Sequence, residues 1–228
     1  MLKENQNMAK IVPKVLLLTR NIRPLKHFKS TKHYRFKYIQ AKTKQAENLL
    51  VSLHGYGQLI EYFSKKFTSL TEHYSLLFPE GMHRFYLNGT AGRVGASWMT
   101  KEDRQLDIND NMHWLSELIK EVKRKQRYRN IVLLGFSQGG ATAFRLYHHL
   151  PEQFFSKLII WANDFPKDIQ NKTIYSPSIY VLGDQDEFIH GERATEIVAQ
   201  YKENGFKICS YEGTHTIHEQ SLQEILSA

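Results

Sequence analysis

Ile131-Val132-Leu133-Leu134-Gly135-Phe136-Ser137-Gln138-Gly139-Gly140 decides the reading of this chain. Four apolar residues run into Gly-x-Ser-x-Gly, and a segment of helical spacing follows at once. That order predicts a buried strand, a very tight turn and a helix. Such a turn holds the serine in strained backbone geometry, with its hydroxyl clear of the sheet edge. The flanking glycines fit because a Cβ would collide where strand and helix come so close. A serine in this place also sits at a helix N-terminus, which favours a developing negative charge. With 13 Gly in 228 residues, the bare pentapeptide arises by chance in roughly a few per cent of such chains. The strand and helix around it therefore carry the argument.

Working outward, strands alternate with helices from residue 48 to the end. Buried strands are predicted at 48–53, 74–78, 158–162, 178–182 and 206–211. Helices are predicted at 58–70, 107–127, 138–150, 192–204 and 217–226. The alternation demands a mainly parallel sheet covered on both faces, a doubly wound α/β fold. Residues 12–20 and 33–40 read as two further strands forming an antiparallel N-terminal edge. No insertion is long enough for a separate cap domain, so 1–228 is expected to be one domain, with 1–47 as its basic edge strands. Residues 80–96, holding Gly81, Gly89, Gly92 and Gly95, read as a long loop. A phosphate-binding role for it is rejected, because no Gly-Lys-Ser/Thr ending or helix follows.

The bulk numbers narrow the class. Apolar content of 41% supports a sizeable core, and no apolar run reaches membrane-spanning length. The polar, basic start lacks a small-residue cleavage site, so no secretory signal is expected. The single Cys209 excludes an internal disulfide and points to a reducing cytoplasm. Net charge is +8, unevenly spread. Residues 1–44 hold twelve Lys or Arg against one acidic residue, Glu4, while the remainder is 19 basic against 22 acidic. Lysine-rich edge strands that resist aggregation explain this better than an anionic or nucleic-acid partner, because Tyr34, Phe36 and Tyr38 alternate with Arg35 and Lys37. A homodimer is compatible with the sequence, which does not fix the oligomeric state.

Candidate chemistry falls just after strands. Ser137 follows 131–134, Asp184 and Asp186 follow 179–182, and His215 follows 206–211. In a parallel sheet these loops meet at one edge, so Ser, Asp and His far apart in sequence can converge. Either aspartate fits by position, and Asp164 after the preceding strand is a weaker alternative. His54 is a second histidine in a strand-end loop. His215 and His218 have i, i+3 spacing, but no Asp, Glu or Cys nearby completes a metal site, and no metal or other cofactor is expected.

On these residues the chain resembles an α/β-hydrolase of the phospholipase/carboxylesterase family, which includes acyl-protein thioesterase-like enzymes. The carrying motifs are Leu53-His54-Gly55-Tyr56-Gly57, Phe78-Pro79-Glu80-Gly81, Ser97-Trp98, Gly135-Phe136-Ser137-Gln138-Gly139-Gly140, Leu182-Gly183-Asp184-Gln185-Asp186 and Gly213-Thr214-His215. The resemblance implies a serine carboxylesterase, with thioesters also open to it, acting on a small-molecule ester through an acyl-enzyme on Ser137. His215 would be the general base, and the family pattern selects Asp186 as its orienting acid. The backbone N–H groups of Tyr56 and Gln138 would form the oxyanion hole, and His54 would be structural. Met99-Thr100 and Trp161-Ala162-Asn163 depart from the family pattern, so Trp98, Met99 and Trp161 are the expected substrate-pocket walls. A different class stays open: a non-catalytic protein of the same fold that binds an anionic partner through its basic N-terminal strands.

Overall fold

A computed structural model describes residues 26–43, 47–170 and 172–227. The chain divides into two units, Met1–His33 and Tyr34–Ala228, and the architecture below is that of the second. The strand expected over residues 12–20 lies outside the described residues. In chain order the strands are β1 (Phe36–Ile39), β2 (Asn48–Leu53), β3 (Tyr74–Pro79), β4 (His83–Asn88), β5 (Ala91–Ser97), β6 (Asn130–Phe136), β7 (Lys157–Trp161), β8 (Ser178–Gly183) and β9 (Lys207–Tyr211). The helices are α1 (Ile60–Phe63), α2 (Arg104–Lys125), α3 (Gln138–His149), α4 (Gly191–Glu203) and α5 (Glu219–Ser227).

Seven strands form one sheet in the order β1-β3-β2-β6-β7-β8-β9. All neighbours run parallel except β1, which pairs antiparallel with β3 at the edge. The doubly wound α/β expectation with an antiparallel N-terminal edge is met in this unit. The physical cause is visible in the burial pattern. Leu49 to Leu53 of β2, Ile131 to Phe136 of β6 and all of β8 are buried, as strands covered on both faces must be. Each fully buried Leu or Val in these runs contributes roughly 1.5–3 kcal/mol relative to exposure. Helix α3 packs on β6 and β7 and against α2, while α4 packs on β9. The buried stripe of α2 is Ile108, Met112, Leu115 and Ile119, as its spacing predicts.

Two expectations are corrected. Residues 80–96 are not a loop: β4 and β5 form a separate antiparallel hairpin. Gly89, at φ +62°, sits with Thr90 in its turn, Gly92, at φ +86°, follows inside β5, and β4 alternates half-buried with exposed residues. The helix expected over 58–70 is α-helical only at α1 and continues as a 3₁₀ helix, Ser64–Glu72. Phe63, Phe67 and Leu70 still face the core, but Tyr62 is exposed. Among the described residues, no helix is long and apolar enough to cross a membrane.

Candidate active site

The turn after β6 is built as the sequence demands. Ser137 has φ +51° and ψ −124°, between the end of β6 and the first residue of α3. A non-glycine residue with positive φ costs on the order of 1–3 kcal/mol and persists only when its surroundings hold it. Three hydrogen bonds do so. The Ser137 N–H donates to the Trp161 carbonyl at 2.8 Å, and the Ser137 carbonyl accepts the Gly140 N–H at 2.8 Å and the Asn163 amide at 2.7 Å. Close approach explains the glycines. A Cβ on Gly135 would lie 2.6 Å from the Ala143 Cβ, and one on Gly139 would lie 2.5 Å from the His54 carbonyl oxygen.

His215 lies in the loop after β9, and its ring packs between Phe136 and Phe188, at centroid distances of 4.9 and 4.7 Å. Its Nδ1 is 2.7 Å from Oδ2 of Asp186. An ionised carboxylate only accepts, so Nδ1 carries the proton and Nε2 keeps its lone pair. The Asp186 carboxylate is fully buried, and its other oxygen accepts the N–H groups of Phe188 and Ile189 at 2.9 and 2.8 Å. Three donors satisfy a buried charge that would otherwise be costly. Glu187, next along the chain, accepts the His215 N–H at 3.0 Å, which holds its carboxyl below the ordinary range. The other aspartates do other work. Asp184 accepts the Gly213 N–H at 2.9 Å and ties the two loops together. Asp164 is exposed and pairs with Arg193 at 2.5 Å.

Ser137 and His215 line one cleft of about 400 Å³, together with Gly55, Tyr56 and Gln138. In the loop after β2, the N–H groups of Gly55, Gly57 and Gln58 are taken by the Gln58 side chain, Ala96 and Gly55. The Tyr56 N–H has no protein partner among the described residues. As the first N–H of α3, that of Gln138 has no carbonyl one turn earlier in the helix. The Gln138 side chain is anchored by bonds to Ser97, Trp98 and Met99 of 3.0–3.1 Å, which fixes the backbone it belongs to.

His54 is fully buried. Its Nε2 accepts the Gly81 N–H at 2.9 Å, so Nδ1 must donate to the Gly55 carbonyl at 2.7 Å. Burial pushes its pKa down to about 4, and both nitrogens are committed to the backbone. His218 stacks on Tyr211 and its Nδ1 accepts the Ser221 N–H at 3.4 Å, at the start of α5.

The three residues expected as pocket walls lie outside this cleft. Trp98 and Trp161 are completely buried, Met99 nearly so, and none of the three lines the cleft. Trp161 is the last residue of β7, its ring packed on Tyr211. The wall comes from the residues after it, Ala162, Asn163 and Asp164, with Phe188, Ile189 and Arg193 opposite. Ala162 and Asn163 belong to the segment whose departure from the family pattern marks this wall, whereas sequence reasoning passed over Phe188 and Arg193. For Phe188 the available signal was its place in the loop past the carboxyl end of β8; Arg193, inside α4, had no such signal.

Fold and strand-edge cleft together define an α/β-hydrolase. Residues 43–224 match the model of the family described as serine hydrolase (FSH1), and the chain belongs to that family. Similar solved structures include Zea mays acyl-protein thioesterase 2, at 18% identity and TM-score 0.63, over 86% of this chain and 97% of that one. A carboxylesterase from Mesorhizobium loti aligns at 15% identity and TM-score 0.65, over 86% and 95%. Esterase PE8 aligns at 21% identity and TM-score 0.61, over 85% and 96%. No curated protein matches the chain.

Proposed function

We infer that this serine hydrolase is an esterase, open to thioesters as well, that works through an acyl-enzyme on Ser137. The observation that carries the reading is the 2.7 Å bond from His215 to the buried Asp186, with His215 and Ser137 lining the same cleft. Ser137 at its own pKa is a weak nucleophile. In the proposed reaction His215 Nε2 takes the hydroxyl proton as Oγ adds to the substrate carbonyl. The carbonyl oxygen, now negative, is received by the N–H groups of Tyr56 and Gln138 and by the N-terminal end of α3. Asp186 keeps the imidazole in the Nδ1–H tautomer and stabilises the imidazolium. The tetrahedral adduct collapses by breaking the bond to the alcohol or thiol, which leaves with the proton from His215. Water then attacks the acyl-enzyme by the same route and frees the acid.

A fluorophosphonate probe tests this directly. The protein should be labelled at Ser137 alone, and Ser137→Ala should abolish both labelling and p-nitrophenyl acetate turnover. Labelling that survives the substitution would remove Ser137 as the nucleophile.

A further inference from the structure

We propose that the Asp164–Arg193 ion pair is the end stop of the substrate groove and sets how long an apolar substrate arm can be. The proposal rests on the esterase reading of the same cleft. Contacts run without a break from the base back to the nucleophile on the β7–β8 side. The Phe188 ring packs on His215, the Phe188 carbonyl accepts from Arg193 at 3.0 Å, and Arg193 pairs with Asp164 at 2.5 Å. The adjacent Asn163 then bonds to the Ser137 carbonyl. The wall is anchored from behind, because the hydroxyl of the wholly buried Tyr201 lies 3.4 Å from the Asp164 carbonyl.

Beyond this wall lies a second depression of about 330 Å³, and Asn163 and Asp164 line both spaces. Ala141, Phe165 and Pro166 give it an apolar part, and Arg104, Lys167 and the Arg145–Asp168 ion pair also line it. Room for a longer arm therefore exists past Asp164, which lines both spaces, while its partner Arg193 lines only the first. Charge decides between a stop and an anion receptor. Asp164 and Arg193 are the acidic and basic side chains lining the cleft, they neutralise each other, and Asp186 lies behind His215. That balance does not favour an anionic arm, whereas Phe136, Phe188, Ile189 and Ala162 favour a neutral apolar one.

The test is a chain-length series in wild type, D164A, R193A and the exchanged pair D164R/R193D. Straight-chain p-nitrophenyl esters vary the acyl arm, and acetates of straight-chain alcohols vary the other. In the wild type, kcat/KM should rise by up to about fourfold per methylene, the worth of one buried CH₂, and then fall past a cut-off. Both single variants should move the cut-off to longer chains in one of the two series, D164A most, and the exchanged pair should move it back. A cut-off unchanged in every variant, with fluorophosphonate labelling of Ser137 retained, overturns the end stop and leaves the esterase reading standing. So does a selective loss of ω-carboxy esters in R193A, which would make Arg193 an anion receptor. A wild type that is neither labelled nor active on any ester sinks the esterase reading, and this proposal with it.

Discussion

Asp186→Asn is the sharpest perturbation of the proposed site. The aspartate Oδ1 accepts two backbone N–H groups, from Phe188 and Ile189, while Oδ2 faces His215 Nδ1. Asparagine has one oxygen and one NH₂ in the same shape. Its oxygen must take the Oδ1 place, because the flipped rotamer would set NH₂ against two N–H donors. The amide NH₂ then faces Nδ1, which can only accept. His215 is driven to the Nε2–H tautomer, and the lone pair that would take the Ser137 proton is gone. The geometry stays and the tautomer is wrong, a change that lowers kcat by about 10⁴-fold in Ser-His-Asp hydrolases. At 1.36 kcal/mol per decade that is about 5 kcal/mol of barrier. Asp184→Asn is the matched control. Its side-chain oxygen still accepts the Gly213 N–H, so turnover should fall by less than about tenfold. Steady-state hydrolysis of p-nitrophenyl acetate measures both. An Asp186→Asn enzyme within about tenfold of wild type, or a larger loss in Asp184→Asn, refutes the tautomer argument.

Other expectations follow from the same geometry. His54 is held neutral, with its pKa depressed from 6.5 to about 4. The unfolded chain therefore binds more protons between those values, and stability present above pH 6.5 is lost as pH falls toward 4. The loss is about 2 kcal/mol between pH 7 and pH 5. Urea midpoints at the two pH values measure it, and a flat profile contradicts the assignment. Gly139→Ala forces a Cβ against the Leu53 and His54 carbonyls. It should cost about 1–3 kcal/mol of stability and lower the melting temperature. Gln138→Ala keeps the proposed oxyanion N–H but removes its anchors to Ser97, Trp98 and Met99. It should lower kcat more than it raises KM, since the donor position matters most in the transition state; an unchanged kcat would show that the helix alone holds that N–H.

The parallel strands were legible because a strand covered on both faces must be apolar along its whole length, as Leu49 to Leu53 and Ile131 to Phe136 are. That Ser137, Asp186 and His215 lie at one sheet edge was legible because each follows a strand, two of them buried runs and the third, β9, only partly buried. The β4–β5 hairpin was not, because Arg84, Tyr86 and Asn88 on its exposed side read as loop, and so did its glycines. The switch from α to 3₁₀ after Phe63 left the apolar spacing nearly intact, so spacing alone did not reveal it. Which residue of the Trp161-Ala162-Asn163 segment faces the cleft was not legible, for a different reason. Trp161 is the last paired residue of β7, matched to Phe136 and Val181, and tertiary packing buries its ring. The chain leaves the sheet at the next residue, Ala162, with φ +50°, and the wall begins there. Arg193 carries no local mark at all, since its role depends on a residue 29 positions away.

One feature of the site bears on how the protein can be altered by insertion. The loops after β8 and β9 are laced together by four bonds: Asp184 to Gly213, Gln185 to Gly213, Asp186 to the His215 ring, and Glu187 to the His215 N–H. Lengthening either loop would break several of these at once, so both should be intolerant of added residues. The exposed Gly89-Thr90 turn of the hairpin, in contrast, makes no such ties among the described residues. A peptide tag or a grafted loop belongs there.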